Sequence, residues 1–324
     1  MLGQIGFFTE EIILEKLSAL GDNMEKLNGV INWCLFSPYL KNALKKEPKG
    51  PGGRPPFPYI LMFKILVLQR LYNLSDDQTE YQINDRMSFR RFLGLGLNDR
   101  IPDAKTIWLF RENLVKAEII ETLFQVFYQE LEIKGLVAHE GSINDASFVE
   151  VPKRRKTKGE NEHSNRQIDE DAAWTKKGDV SYFGYKNHPK VDAKSKIITD
   201  YRVTPANVHD SQRFAEFYNE FENDTAYGDS AYVGQELPEN VEQEINERAY
   251  RNTPLTDEQK AENKRKSKIR ARIEHVFGFV EMSMKGSTFR GKGVKRAEFN
   301  IGLTNLIYNM RRFEFFRRSG VCTA

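Results

Sequence analysis

Three acidic residues set far apart in the chain could act together: Asp145 in "SINDASF", Asp229 in "YGDSAY" and Glu274 in "RARIEHVFG". Aspartate is disfavoured inside strands because its side chain competes for the backbone. Asp145, in a segment of strand composition, therefore marks an edge, a bulge or a ligand for something positive. Asp229 follows a glycine where a short strand pattern ends; open α/β sheets present functional groups there, although an ordinary turn aspartate would also fit. Glu274 is the one acid among Lys268, Arg270 and Arg272. It lies beside a helical apolar stripe of Ile269, Ile273, Val276 and Val280. An i,i+4 ion pair with Arg270, worth about 0.3–0.5 kcal/mol, would account for it locally. Together, two aspartates at strand positions and a glutamate on a later helix are what two-metal phosphoryl transfer requires. Hard cations such as Mg²⁺ prefer oxygen ligands, and three carboxylates can hold two ions about 3.5–4 Å apart. Lys268, Arg270 and Arg272 would then face a phosphate backbone, which gives a reason for a carboxylate in a cationic helix.

Lys186 and His188 alternate onto one strand face and could also reach phosphate, but an exposed strand pair explains them equally well. His209 and Asp210 read as a helix start. Trp174 fits packing, or stacking on an unpaired base. His275 points about 100° around the helix from Glu274 and takes no proton-transfer role.

The elements that must position these residues fall into two groups. Phe8–Leu20 and Met24–Phe36 carry apolar residues at helical spacing, and a Gly/Pro-rich break, Lys49–Phe57, interrupts the pattern. Tyr59–Tyr72 follows as a strongly apolar helix; Ser75 with Gln78 opens another, and Thr106 is read as a cap. Short helices joined by tight turns, with Arg86, Arg90, Arg91 and Arg111 among them, suit either a helix-turn-helix-like DNA-binding module or a supporting bundle. After the helix Lys116–Glu132 the grammar changes. A strand around Asp145, a long basic loop Lys153–Lys177, a hairpin Tyr182–Asn207, a helix from Asp210 to Phe221, a strand ending at Asp229, a polar insertion and the long basic helix follow. This order predicts an α/β arrangement with a mixed sheet.

Composition fits that picture. The chain has 324 residues, 40% hydrophobic and 29% charged, which suits a globular protein of two domains. The net charge of +3 is uninformative, but blocks such as Lys153–Lys156, Lys264–Lys266 and Arg311–Arg312 raise the case for a polyanion partner. Two distant cysteines, Cys34 and Cys322, give neither a disulfide framework nor a zinc knuckle. The most apolar run, Ile60–Leu68, is interrupted by Lys64 and is too short for a membrane span. The N-terminus lacks a basic region before its apolar residues, so the expected location is the cytoplasm.

The fragments "INDASFV", "DEDAAWTKKGDVSYFGYKNHPKVD", "VTPANVHDS", "AYGDSAYVG" and "RARIEHVFG", in this order, resemble the catalytic domain of bacterial insertion-sequence transposases of the DDE type, specifically the insertion-sequence-5 family. The stretches "GRPPFPYILMFKILVLQRLYNLSDDQTEYQINDRMSFRRFLGL" and "IPDAKTIWLFRENL" resemble that family's N-terminal domain, so the likeness runs from about Gly53 to Phe313. It implies an RNase H-like catalytic domain over 135–324, preceded by an all-helical DNA-binding or dimerisation domain over 1–134. It also implies Asp145, Asp229 and Glu274 as the acidic triad, with two Mg²⁺ ions for which Mn²⁺ can substitute. The implied partners are double-stranded DNA, as terminal inverted repeats and target, and further copies of the chain. Family members often carry a Tyr, Arg, Glu, Lys signature; Arg270 and Glu274 match it, whereas Ser267 and Glu281 stand at its Tyr and Lys positions.

Overall fold

The computed structural model describes residues 9–45, 55–153, 169–250 and 254–320. Arg154, Arg155, Lys156 and Cys322 lie outside the described residues. The chain divides into two compact units, Met1–Val126 with Met310–Ala324, and Phe127–Asn309.

The first unit is helical, with α1 (Thr9–Ala19), α2 (Asn23–Val30), α3 (Ser37–Leu44), α4 (Tyr59–Leu71), α5 (Asp76–Asp85), α6 (Met87–Leu93), α7 (Ala104–Lys116) and the start of α8 (Ile120–Ile133). Local chemistry sets several helix starts. Asp22 accepts from the Met24 N–H at 2.8 Å and Ser75 Oγ from the Gln78 N–H at 3.2 Å. The cap expected at Thr106 is instead Asp103, whose carboxylate accepts the Thr106 N–H at 2.7 Å, because the capping oxygen sits two or three residues before the N–H it takes. Such caps contribute about 1 kcal/mol each. α4 is buried on all sides from Met62 to Leu71. A helix apolar around its circumference has no solvent face and must take the centre. Phe36 and Phe63 (ring centroids 5.0 Å apart) and Trp33 and Phe92 (5.5 Å) pack in this core.

Of the four arginines that suited a DNA-reading module, three are consumed internally. Arg90 donates to the carbonyls of Gly96 at 2.6 Å and Leu97 at 3.2 Å. Arg91 binds Asp22, and Arg111 forks onto both oxygens of Asp76 at 2.7 and 2.8 Å. Arg86 lies over the Phe89 ring, 5.0 Å from its centroid. These contacts are what a supporting bundle requires.

The second unit is built on a seven-stranded mixed sheet of β1 (Ser142–Asn144), β2 (Ser147–Glu150), β3 (Ala173–Lys177), β4 (Val180–Asp192), β5 (Ile198–Pro205), β6 (Asp224–Gly228) and β7 (Val241–Ile245). The path runs β2-β4-β1-β6-β7, with β3 and β5 also paired to β4. β4 is the long antiparallel spine, and β1, β6 and β7 run parallel to one another. The helices α9 (Asp257–Arg270), α10 (Arg272–Met284) and α11 (Val294–Arg318) follow, and the second unit ends within α11. There Asn305 exchanges amide hydrogen bonds with Asn187 at 2.8 and 3.2 Å, and Asn309 caps both backbone groups of Ile198.

Several expectations need correction. The end of the basic stretch Lys153–Lys177 is a strand, β3, hydrogen-bonded to β4. The helix expected from Asp210 to Phe221 is two short 3₁₀ turns, Asp210–Arg213 and Ala215–Phe217. Phe214, Phe217 and Tyr218 are pulled into a core with Tyr232, Val241 and Ile245, and that burial ends the helical run early. The polar insertion contains β7, whose polar composition hid a strand anchored only by Val241 and Ile245 at its ends. The long basic helix is two helices, broken at Ala271.

Candidate active site

β1 and β6 are parallel neighbours, with Ser142 beside Ala226 and Ile143 beside Tyr227. Asp145 is the first residue beyond β1 and Asp229 the first beyond β6. Both carboxylates therefore leave the sheet at the carboxyl ends of adjacent strands, where open α/β sheets place ligand-binding groups.

Asp145 sits in a break between β1 and β2, not within a strand. The pairings Asn144 with Lys190 and Ser147 with Asn187 keep one register, which puts Asp145 opposite Pro189. Proline has no N–H to give the ladder, so pairing lapses there and the chain can turn its carboxylate away from the strand path. Asp145 Oδ1 takes its own neighbour's N–H, that of Ala146, at 2.8 Å. Asp229 caps the 3₁₀ turn Ser230–Tyr232 by accepting the Ala231 N–H at 2.8 Å. The turn aspartate and the strand-end aspartate are thus the same residue, and one oxygen remains for other work. Gly228 is required just before it: a Cβ there would lie 2.9 Å from both Ile245 Cδ1 and Tyr232 Cδ2.

The two carboxylates feel each other. Burial pushes the Asp145 carboxyl above the usual range, and the nearby charge of Asp229 adds to the rise, against the Ala146 N–H and the Arg270 guanidinium, which lower it. Arg270 Nη1 lies 3.4 Å from Asp145 Oδ2. Two residues that sequence reasoning missed stand near the pair. Buried Tyr232 has its phenol held protonated by burial and by Asp145, Asp210 and Asp229. Lys177, on β3, contributes positive charge at Asp145. The aromatic after a strand-end aspartate and the Lys176-Lys177 pair were the available signals.

Glu274 is exposed in the first turn of α10, four residues beyond Arg270 and across the break at Ala271. Among the described residues, no group of three ligating side chains is gathered tightly enough to hold a metal ion. Asp145 and Asp229 do fit a divalent cation as a pair, since the donors are all oxygen and their mutual repulsion is what a hard cation would relieve. Of the expected α10 stripe, Ile273 and Val276 are buried, and Ile269 and Val280 are half-buried.

The expected phosphate contacts divide. Lys268 and Arg272 are exposed, Arg272 with its guanidinium on the Ala193 carbonyl at 2.9 Å. Lys186 and His188 do share a strand face, but that face is covered. Lys186 donates to the Val208 carbonyl and to Asp210, each at 2.8 Å. His188 is 3% exposed, meets Thr204 at 2.9 Å, and is pushed down to about 4 by burial. A phosphate cannot reach either in this arrangement. Trp174 is exposed on β3, over which Lys153 reaches. His209 caps the first 3₁₀ turn, as a start residue should.

Comparison with known proteins now gives the class. The family model described as Transposase DDE domain matches residues 138–310, and a second, Transposase domain (DUF772), matches residues 12–113. The chain belongs to the transposase DDE domain family, and it is a DNA transposase of that type. Among solved structures, it is similar to a piggyBac transposase in a synaptic complex with hairpin DNA, at 11% identity and a TM-score of 0.44, over 92% of this chain and 73% of that chain. Among the described residues no helix is long and apolar enough to cross a membrane.

Proposed function

We propose that the protein is an insertion-sequence transposase of the insertion-sequence-5 family, which binds terminal inverted repeats, hydrolyses the phosphodiester at the element end and joins the freed 3′-hydroxyl to target DNA. The observation that carries this reading is the placement of Asp145 and Asp229 side by side at the ends of β1 and β6. Glu274 completes the set in this reading as the acid of the Arg270–Glu274 signature. These three residues would hold the divalent cations, two Mg²⁺ with Mn²⁺ as a substitute, once Glu274 is drawn to the aspartate pair. Bound there, the ions would supply an acidified water or hydroxyl and a charge on the leaving oxygen. The chain's own task is to position the DNA end and neutralise its phosphates, and Lys268, Arg270 and Arg272 are suited to that. The mixed sheet is of the RNase H-like kind, with catalysis over 135–324 and DNA binding or dimerisation over 1–134. The protein works as an oligomer on DNA in the cytoplasm.

The test uses labelled duplex carrying the element's terminal repeat, with Mg²⁺, comparing wild type with Asp145→Asn, Asp229→Asn and Glu274→Gln. Each substitution is expected to lower end cleavage and joining by at least about a hundredfold while DNA binding persists. Cleavage without joining would mark a nuclease. Binding without metal-dependent cleavage by the wild type would leave a transposase-derived DNA-binding protein.

A further inference from the structure

We propose that Arg270 is an exchangeable counter-ion of the acidic pair: it neutralises Asp145 when DNA is absent, and a DNA phosphate draws it away, so that DNA and a divalent cation bind with positive coupling. This rests on the reading of Asp145 and Asp229 as cation ligands.

The contact is poorly made for a structural one. A guanidinium carries five N–H donors, and Arg270 gives Asp145 a single bond at 3.4 Å. Its Nε is buried and has no partner among the described residues. Arg111, by contrast, closes a two-pronged fork on Asp76 at 2.7 and 2.8 Å. The Arg270 side chain is still 27% exposed, so an incoming phosphate can reach it. It is also the last residue of α9, directly before the break at Ala271, where a small helix adjustment can move it. Lys264 and Lys268, exposed on the same helix, have no acidic partner among the described residues and can bring a phosphate close.

Charge does the rest. A guanidinium already beside Asp145 repels an arriving divalent cation and uses the oxygen that would bind it. A phosphate that pairs with Arg270 removes both obstacles, and because coupling is reciprocal, the cation must tighten DNA binding by the same factor. The site would then stay unloaded until DNA is in place.

The experiment titrates Mn²⁺ into the full-length protein without DNA and reads free Mn²⁺ by electron paramagnetic resonance, for wild type, Arg270→Gln, Arg270→Lys and Asp145→Asn. Arg270→Gln should bind Mn²⁺ on the order of tenfold more tightly than wild type, and Arg270→Lys, which keeps the charge, should stay near it. A short duplex should tighten Mn²⁺ binding to wild type and leave Arg270→Gln unchanged. Wild type alone provides the reciprocal measurement, a gain in duplex affinity on adding Mn²⁺, which stands even if a variant misfolds. Equal or weaker Mn²⁺ binding by Arg270→Gln, or no coupling in wild type, would overturn the proposal while leaving the metal reading intact. Mn²⁺ binding that Asp145→Asn does not change would remove the metal reading itself, and this inference with it.

Discussion

The two units place their cations differently. In the helical unit, Arg90, Arg91 and Arg111 end on carbonyls and carboxylates of that unit, and Lys64 is enclosed by aromatic rings, 5.4 Å from the centroid of Trp33 and 4.7 Å from that of Phe92. On α9 of the sheet unit the cations divide by face. Arg265 and Lys266 reach Glu244 on β7 and Arg270 reaches Asp145, whereas Lys264 and Lys268 stay in solvent. Basic composition alone therefore does not locate a DNA surface. Which cations can meet a phosphate without giving up an acid depends on the fold rather than on the local sequence.

Breaking this comparison should cost most where the cation is spent inside. Arg90→Ala leaves the Gly96 and Leu97 carbonyls without their donor and removes a buried stem. We expect a loss of about 3 kcal/mol in urea unfolding, since hydrogen bonds to charged groups are the strong ones. A loss under about 0.5 kcal/mol would mean that the arginine is not structural. Lys64 should behave in the opposite sense. It has no acid partner among the described residues, and burial pushes its ammonium down from 10.5 to about 8. The folded protein thus holds this proton less well than the unfolded chain does. Its stability should rise as pH climbs through the window from about 8 to 10.5 and carry the full penalty below it. That penalty is about 3 kcal/mol, offset by roughly 1 kcal/mol from the cation–π contacts. Lys64→Met should therefore gain about 2 kcal/mol at pH 7 and flatten the rise, as thermal melts across this pH window would read.

How far the site could be read from sequence follows from the same physics. The strand before Asp145, the glycine turn at Asp229 and the helical pattern around Glu274 were legible because such patterns are local, and the hairpin Tyr182–Asn207 was legible as β4 and β5. The break at Asp145 was not, because it depends on Pro189 arriving opposite through long-range pairing. Lys186 and His188 were misjudged for a related reason. Alternation correctly put them on one face, but only the docking of the segment around Asp210 covers that face. β7 was missed because its middle residues are polar, and a strand of this composition is held by its parallel partner β6 rather than by its own pattern. The helix pattern over Lys268–Val280 was legible, whereas the break at Ala271 left no mark in it.

The exposed face of α9 is the sharpest place to press the comparison, because there stability and binding should separate. Lys264 and Lys268 lie one helical turn apart, about 6 Å along the axis, close to the spacing of successive phosphates on one strand. Neither has a partner to lose among the described residues, so Lys264→Ala and Lys268→Ala should each change folding stability by no more than about 0.5 kcal/mol. If each meets one phosphate, each substitution should reduce the slope of log affinity against log salt by about 0.9 for duplex DNA. The double variant should lose nearly the sum, since one cation does not hold the other in place. Stability loss without a change in salt slope would make α9 another internally committed helix, and the distinction between the two units would disappear.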